Sequence, residues 1–250
     1  MIIGSLLAIL PFILLVIASF TDNQTALVNG YSFTPEKWSL EAYQYIASEW
    51  ATIGRAYLMT ILVTVIGTAL SLVITSTFAF AVSNDKLPGH KILMFLCIFT
   101  MLFNGGLVAS YYVYSNIFHI KNTIWALIVP TFLMSPFNVV LVKNYFSNSI
   151  SPSILEAARM DGAGVFAVFT KIVMPLSVPI MATVGLMTAI GYWNDWTNGL
   201  YYLTENGGAQ YYTIQLVLNR INENINFLAN NSDVAAKAAQ QLPSTTMRMA

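Results

Sequence analysis

Five long apolar runs alternate with polar segments along the chain. The first, Ile2 to Phe20, carries no charge, and the second, within Ala56 to Asn84, is also uncharged. The third stays apolar from Ile92 to about Phe103 and continues, more polar, through Gly105 and Gly106 towards Tyr114. The fourth, Thr123 to Val142, holds Pro130 and Pro136, and the fifth runs from Ile172 to about Trp193. A helix needs roughly 20 mainly apolar residues to cross the hydrocarbon core of a bilayer. The pattern predicts an all-α, polytopic membrane helix bundle with spans at about 2–20, 56–83, 92–114, 123–142 and 172–193, so that 1–250 is a single transmembrane domain. Proline inside a span is tolerated where neighbouring helices satisfy the freed carbonyls, and it predicts kinks. The first run lacks a basic leader and a small-x-small cleavage site. It reads as a retained span, with a cytoplasmic leader expected ahead of it, rather than as a secretory signal.

The basic residues orient this bundle. If the first span enters from the cytoplasm, the inner loops are 83–91 and 143–171. They hold Lys86, Lys91, Lys143, Arg159 and Lys171, five basic residues in 38 positions, against six in the 107 positions of the outer segments. Eight of the eleven acids fall in the outer segments. Lys and Arg concentrate on the cytoplasmic side of membrane proteins, which makes 143–171 a cytoplasmic loop.

Composition supports lipid as the solvent: 56% of residues are hydrophobic and 9% are charged, against roughly 25% charged in an ordinary soluble domain. The formal net charge is zero, which implies no nucleic-acid partner. Cys97, the single cysteine, sits in an apolar run and reads as a small buried hydrophobe. No G-x-x-x-x-G-K-[ST] phosphate loop and no Gly-Lys dipeptide occur, so ATP is not bound here by that route. Asp, Glu, Lys and Arg are missing from the central portions of the spans, which disfavours an ion-coupled carrier. His90 and His119 fall on opposite predicted sides of the membrane and cannot share a metal site. A membrane enzyme needs an acid/base or metal cluster, so an enzyme is a weak alternative, beside a scaffolding role.

Within the cytoplasmic loop, "SISPSILEAARMDGAGVFAVFTKIVMP" mixes acids, bases and glycines. Ser151 is a candidate N-cap with Pro152 at the first helical position. Ile154, Leu155 and Ala158 form a short apolar stripe, while Glu156, Arg159 and Asp161 point elsewhere. Gly162 and Gly164 follow at once, and a glycine just past a helix end supports the left-handed residue that stops it. The segment reads either as an interfacial helix lying on the bilayer or as a docking helix. Interfacial helices usually carry a Lys/Arg-rich face, and this one has only Arg159. Two adjacent alanines beside a glutamate suit close docking against a protein.

This stretch resembles the EAA loop of permease subunits in ABC importers, which reads E-A-A, three residues, G, nine residues, I-x-L-P. The chain has Glu156, Ala157, Ala158, Gly162, Ile172 and Pro175 at that spacing, with Met174 where the family favours Leu, a volume-conserving swap. Asp161-Gly162-Ala163 matches the "DGA" common in carbohydrate-type members. The resemblance implies the ABC type I importer permease fold, in a bacterial plasma membrane. It also implies that the loop inserts as a coupling helix into a cleft of an ATPase subunit, where Glu156 pairs with a basic residue, Ala157 and Ala158 permit close approach, and Gly162 makes the turn. No cofactor is then held by this chain, since ATP and magnesium belong to the ATPase. The implied partners are a second permease subunit in a heterodimer, two ATPase domains and an extracellular substrate-binding protein. Within the pair, the chain is similar to the MalG-like member.

A second patch, residues 191–218, is rich in Trp, Tyr, Asn and Gly. Tyr201, Tyr202, Tyr211 and Tyr212 read as an aromatic belt at the membrane interface. Trp193, Asn194, Asp195 and Trp196 resemble the W-N-[DE]-[FW] segment of carbohydrate-type permeases, especially those for oligosaccharides. Flat aromatic faces suit sugar rings, and amides and carboxylates suit hydroxyls, which makes these four residues candidates for the substrate path. Asn194 and Asp195 read equally as helix-end groups that satisfy backbone. "NGGLVASYYVYSNIF", residues 104–118, resembles the outer part of the third span in permeases for complex or host-derived glycans. The 21–55 segment predicts a short outer helix. Residues 194–248 are expected to face the binding protein. In the resembling family a sequence like "TTMRMA" opens a sixth span, so a further apolar helix is expected beyond Ala250.

Overall fold

The computed structural model describes residues 2–22, 25, 30–84 and 87–230. The chain divides into two units, Met1–Arg55 with Leu218–Ala250, and Ala56–Val217. In the first unit the apolar opening run folds as α1 (Ile2–Ser19), and the expected short outer helix is α2 (Glu41–Ser48). Thr21 and Trp38 form an isolated antiparallel bridge, and the Phe20 and Tyr43 rings stack at 5.0 Å. The Ser19 and Tyr43 hydroxyls lie 2.9 Å apart.

The second unit is built on α3 (Trp50–Ser83), which begins in the first unit and runs unbroken for 34 residues. It has no proline and no charge after Arg55. Its buried positions include Ala56, Thr60, Val63, Gly67, Ser71, Thr75, Ala79 and Val82, spaced three or four apart. Most are small, and in a membrane such a seam lets helices approach closely where apolar area alone gives no drive. Two apolar clusters pack around this helix. One holds Val63, Leu127, Ile128, Tyr192, Leu203 and Leu216. The other gathers Ala79, Val82, Val142, Phe146, Ala158, Val173 and Val184, with Cys97 buried as expected.

Among the described residues, α3 is the one helix long and apolar enough by itself to cross a membrane. Two bent pairs raise the number to three if each pair is one span. The expected third span is the first pair: α4 (His90–Leu102) and α5 (Gly106–Tyr112, prolonged by a wide π-helical turn, Val113–Ile117) meet at 119°. The turn is made by Gly106 at φ 80, whose N–H is taken by the Asn104 Oδ1 at 2.9 Å.

The expected fourth span is not one helix. A short turn of helix, α6 (Trp125–Ile128), ends before Pro130, and α7 (Pro136–Ser149) restarts at the second proline. Neither proline has an N–H to carry the ladder across, and Thr131 between them sits at φ 69. The Ser71 hydroxyl on α3 donates to the freed Phe132 carbonyl at 3.0 Å.

After α8 (Pro152–Met160), the expected fifth span is the second bent pair. α9 (Val165–Leu176) and α10 (Val178–Asn194) meet at 79° across Ser177, between Pro175 and Pro179. Ile172 therefore belongs to the helix before the bend. The helices that follow include α11 (Thr197–Tyr202) and α12 (Ile214–Asn230). The expectations about Lys86, Lys237, Arg248 and a sixth span rest on positions outside the described residues.

Candidate functional site

The "EAARMDGAG" stretch folds as the sequence dictates. Ser151 takes the extended N-cap conformation and Pro152 opens α8. The Ser151 hydroxyl does not cap the helix but lies 2.8 Å from the Ser153 hydroxyl. At the other end Gly162 has φ 78. The Ala163 N–H reaches back to the Ala158 carbonyl at 2.9 Å, and the Gly162 N–H to the Arg159 carbonyl at 3.1 Å. These are the two bonds of a Schellman cap, closed by the accompanying apolar contact where Ala163 packs on the cluster that holds Ala158. Gly164 then starts α9 without a loop, its carbonyl accepting from the Val168 N–H at 3.0 Å. Helix, turn and helix thus form one rigid corner.

The motif residues divide by face. Ala158 is 9% exposed and sits in the chain's own core, with Leu155 and Ile172 packed on it. Glu156, Ala157, Arg159, Asp161, Gly162 and Pro175 are exposed. Beside them Met160 is 88% and Phe166 78% exposed, large apolar side chains offered outward at the corner. The corner is held from behind: the Phe80 ring of α3 tilts against Phe169 of α9 at 5.1 Å, and the Tyr145 hydroxyl of α7 donates to the Leu176 carbonyl at 3.2 Å. Glu156 and Arg159 also rim a pocket of about 260 Å³ between α8 and the ends of α3 and α7.

The outer patch forms a second site. Asp195 is a helix-end group: its Oδ1 accepts from the Thr197 and Asn198 N–H groups at 3.1 and 3.2 Å, and its Oδ2 from the Asn198 amide at 2.7 Å. Burial pushes its pKa up, and the donors of Asn198 and Thr197 pull it back down. Asn194 donates to the Ile190 carbonyl of its own helix at 3.0 Å. Trp193 and Trp196 are exposed and line no pocket among those described. The cavity lies next door. About 440 Å³ in volume, it is walled by Asn104, Ser110 and Tyr114 from the third apolar run, Pro130 and Thr131 from the broken fourth, and Thr197, Asn198, Tyr201 and Tyr202 from α11.

Sequence reasoning singled out the first and last of these segments separately but not that they face one another. It also missed Asn198, which ties Asp195 to the Pro130 carbonyl, the latter at 3.4 Å. The interface-belt expectation fails for Tyr202. It is 3% exposed, stacked on Tyr111 at 5.8 Å and edge-on to Tyr114 at 6.0 Å. A belt residue faces lipid, whereas this ring packs within the bundle. Among the described residues no group of three His, Cys, Asp or Glu side chains is arranged to hold a metal ion.

Removing the Asp195 carboxylate gives a first expected result. Asp195→Ala leaves two backbone N–H groups at the start of α11 and one Asn198 amide N–H without their acceptor, and a buried donor left unsatisfied costs about 1–3 kcal/mol. Thermal melting of the purified protein should show this loss. An unchanged melt would free Asp195 from the structural role.

Residues 1–239 match the family model described as "Binding-protein-dependent transport system inner membrane component". The chain is 38% identical over 217 residues to the polygalacturonan/rhamnogalacturonan transport system permease protein YtcP of Bacillus subtilis strain 168, covering 87% of this chain and 73% of that protein. It is 33% identical over 232 residues to protein LplC of the same organism, covering 93% and 76%. Among solved structures, it superimposes on a chain of a bacterial ABC transporter involved in the import of the acidic polysaccharide alginate. The TM-score is 0.79 and the identity 28%, over 92% of this chain and 82% of that one. An all-α membrane permease fold, a capped corner with the E-A-A…G spacing and a family match over most of the chain agree: the protein belongs to the binding-protein-dependent transport system inner membrane components, the permeases of ABC importers.

Proposed function

We propose that the chain is one of two permease subunits of an ATP-driven importer for a carbohydrate, an oligosaccharide, in a bacterial plasma membrane. It is a transport permease, not an enzyme. The observation that carries the reading is the rigid corner at Gly162, which presents Glu156, Ala157, Arg159 and Asp161 outward while Ala158 and Ile172 seat it in the bundle. A lever of this kind transmits motion between a partner and the helices without doing chemistry. Residues 143–171 form the cytoplasmic coupling loop, Glu156 pairs with a basic residue of an ATPase domain, and that domain supplies ATP and magnesium. The remaining partners are a second, different permease subunit, a second ATPase domain and an extracellular binding protein. Each bent helix pair counts as one span of a single five-span domain over residues 1–250.

The sugar assignment draws support from the outer cavity. Its lining has no Asp, Glu, Lys or Arg and offers hydroxyls, amides and tyrosine faces, the chemistry that meets a polyhydroxylated ring. The names of YtcP and of the alginate importer tie those proteins to polysaccharides. The path then runs past Tyr201, Asn198 and Thr131, with Trp193, Asn194, Asp195 and Trp196 at its margin.

The complex purified with its ATPase and reconstituted should hydrolyse ATP faster on adding the sugar together with the binding protein, and not with either alone. A chain that turns over sugar by itself, or an importer stimulated only by a non-sugar solute, would replace this reading. Tyr201→Ala removes a cavity wall whose side chain makes no hydrogen bond among the described residues. It should raise the KM for uptake about tenfold, or 1.4 kcal/mol, with the amount of assembled complex unchanged. Unaltered uptake kinetics would return Tyr201 to a structural role.

A further inference from the structure

A third pocket, about 400 Å³, opens where the start of α4 packs against α7. One side is basic: Lys91 and His90 from the first turn of α4, and Lys143 from α7. The other is apolar: Met94, Phe95 and Ile98, on the following turns of α4. Lys91 and Lys143 form no ion pair among the described residues. The His90 Nδ1 lies 2.9 Å from the Leu87 carbonyl, which fixes the ring at the rim. The N-terminus of α4, the positive end of its macrodipole, lies at His90 and Lys91 in the pocket lining. Two cations on separate helices share one cavity, and the described structure neutralises neither.

The apolar side continues along α4. Phe95 is 63% exposed, and Phe95, Phe99 and Phe103 form a ladder with ring centroids 6.1 and 4.5 Å apart. A free phosphate would gain nothing from these rings. A phosphate that carries an acyl chain meets both halves of the pocket at once. The excess of Lys and Arg in 83–91 and 143–171 puts this end of α4 at the cytoplasmic surface, where anionic headgroups lie and basic clusters attract them.

We infer that this pocket binds an anionic phospholipid of the inner leaflet, its phosphate held by Lys91 and Lys143 and its acyl chain laid along the Phe95–Phe99 face of α4. The inference rests on the cytoplasmic assignment of these loops made under the proposed function. The headgroup joins α4 to α7, the helix that leads directly into Ile150, Ser151 and the coupling corner. An occupied site therefore braces the support of that corner, and an empty one leaves two cations lining one cavity.

The test uses the purified importer, washed in detergent and then supplied with phosphatidylglycerol, phosphatidylcholine or inorganic phosphate. Wild-type protein should retain phosphatidylglycerol by lipid extraction and quantitation. Lys91→Gln/Lys143→Gln should retain about thirtyfold less, as expected from losing two surface-charge attractions. Phosphatidylglycerol should raise the melting temperature of the wild type but not of this variant, and phosphatidylcholine should raise neither. Lys91→Arg/Lys143→Arg should restore retention, which separates lost charge from lost fold. Equal retention in the Gln pair, failure of the Arg pair to restore it, equal stabilisation by phosphatidylcholine, or displacement of the lipid by millimolar phosphate would each overturn the site. None of these readouts uses sugar. An importer that binds the lipid but ignores sugar would sink the proposed cargo and leave this inference standing.

Discussion

Gly162→Val is expected to abolish uptake while leaving the subunit in the membrane. A side chain at this position meets no atom within 4 Å, so crowding is not the difficulty. The difficulty is the backbone: φ is 78 there. An L-residue in the left-handed region costs roughly 1–2 kcal/mol, and a branched β-carbon makes it a genuine outlier. The chain can relieve the strain only by giving up the bonds from Ala163 to Ala158 and from Gly162 to Arg159. That would swing α8 relative to α9 and detach the outward face of Glu156 from the bundle that, under the proposed function, moves with it. Gly162→Asn tests the cause, because asparagine tolerates the left-handed region, and should keep most of the uptake. Glu156→Lys should match Gly162→Val by a different route, reversing the charge at the docking face without disturbing the turn. Labelled-sugar uptake in cells, set against immunoblots of the membrane fraction, reads all three. Normal uptake in both Gly162→Val and Glu156→Lys would remove the coupling assignment.

The capped corner at Gly162 was legible because everything that shapes it is local. A proline at the helix start, a glycine after its last turn and a second glycine at the next helix determine the path of the chain over a dozen residues. The uncharged run after Arg55 was legible for a similar reason, since α3 needs nothing but its own length and apolarity. The third, fourth and fifth runs were read correctly as apolar, with kinks expected at prolines, but how far the chain turns at each break was not legible. Periodicity reports which solvent a segment prefers, not its direction. Direction was decided by single groups: the Asn104 side chain taking the Gly106 N–H, the missing donors at Pro130 and Pro136, and Thr131 in the left-handed region. The outer cavity was the least legible feature. Its walls come from three segments up to about a hundred residues apart, and only tertiary packing brings Tyr114 to Tyr202 or Thr131 to Asn198. Asp195 was the reverse case, because both its readings were visible in "WNDW" and the geometry around it matches the helix-end one.

Gly67→Ala is expected to destabilise the bundle, against what helix propensity alone requires. In a helix interior Ala is favoured over Gly by about 0.8–1.0 kcal/mol, so an unconstrained site would be stabilised. Here a β-carbon on Gly67 would come within 2.6, 2.7 and 2.8 Å of three carbons of the Tyr192 ring. The ring has nowhere to go. Tyr192 is 1% exposed, its hydroxyl donates to the Ile128 carbonyl at 2.8 Å, and its ring packs tilted against Phe132 at 5.2 Å. Overpacking of this kind costs typically 1–3 kcal/mol, which outweighs the propensity gain. The damage should reach function, because the Ile128 carbonyl anchored by Tyr192 lies two residues before Pro130, a wall of the outer cavity. Gly67→Ala should therefore lower both the melting temperature of the purified complex and its sugar uptake. Adding Tyr192→Phe should not rescue it, since the ring and not the hydroxyl is in the way and the hydrogen bond is lost as well. Adding Tyr192→Leu should recover part of the stability by vacating the space the ring fills. A melting temperature that rises in Gly67→Ala would show that α3 and α10 do not pack through this contact.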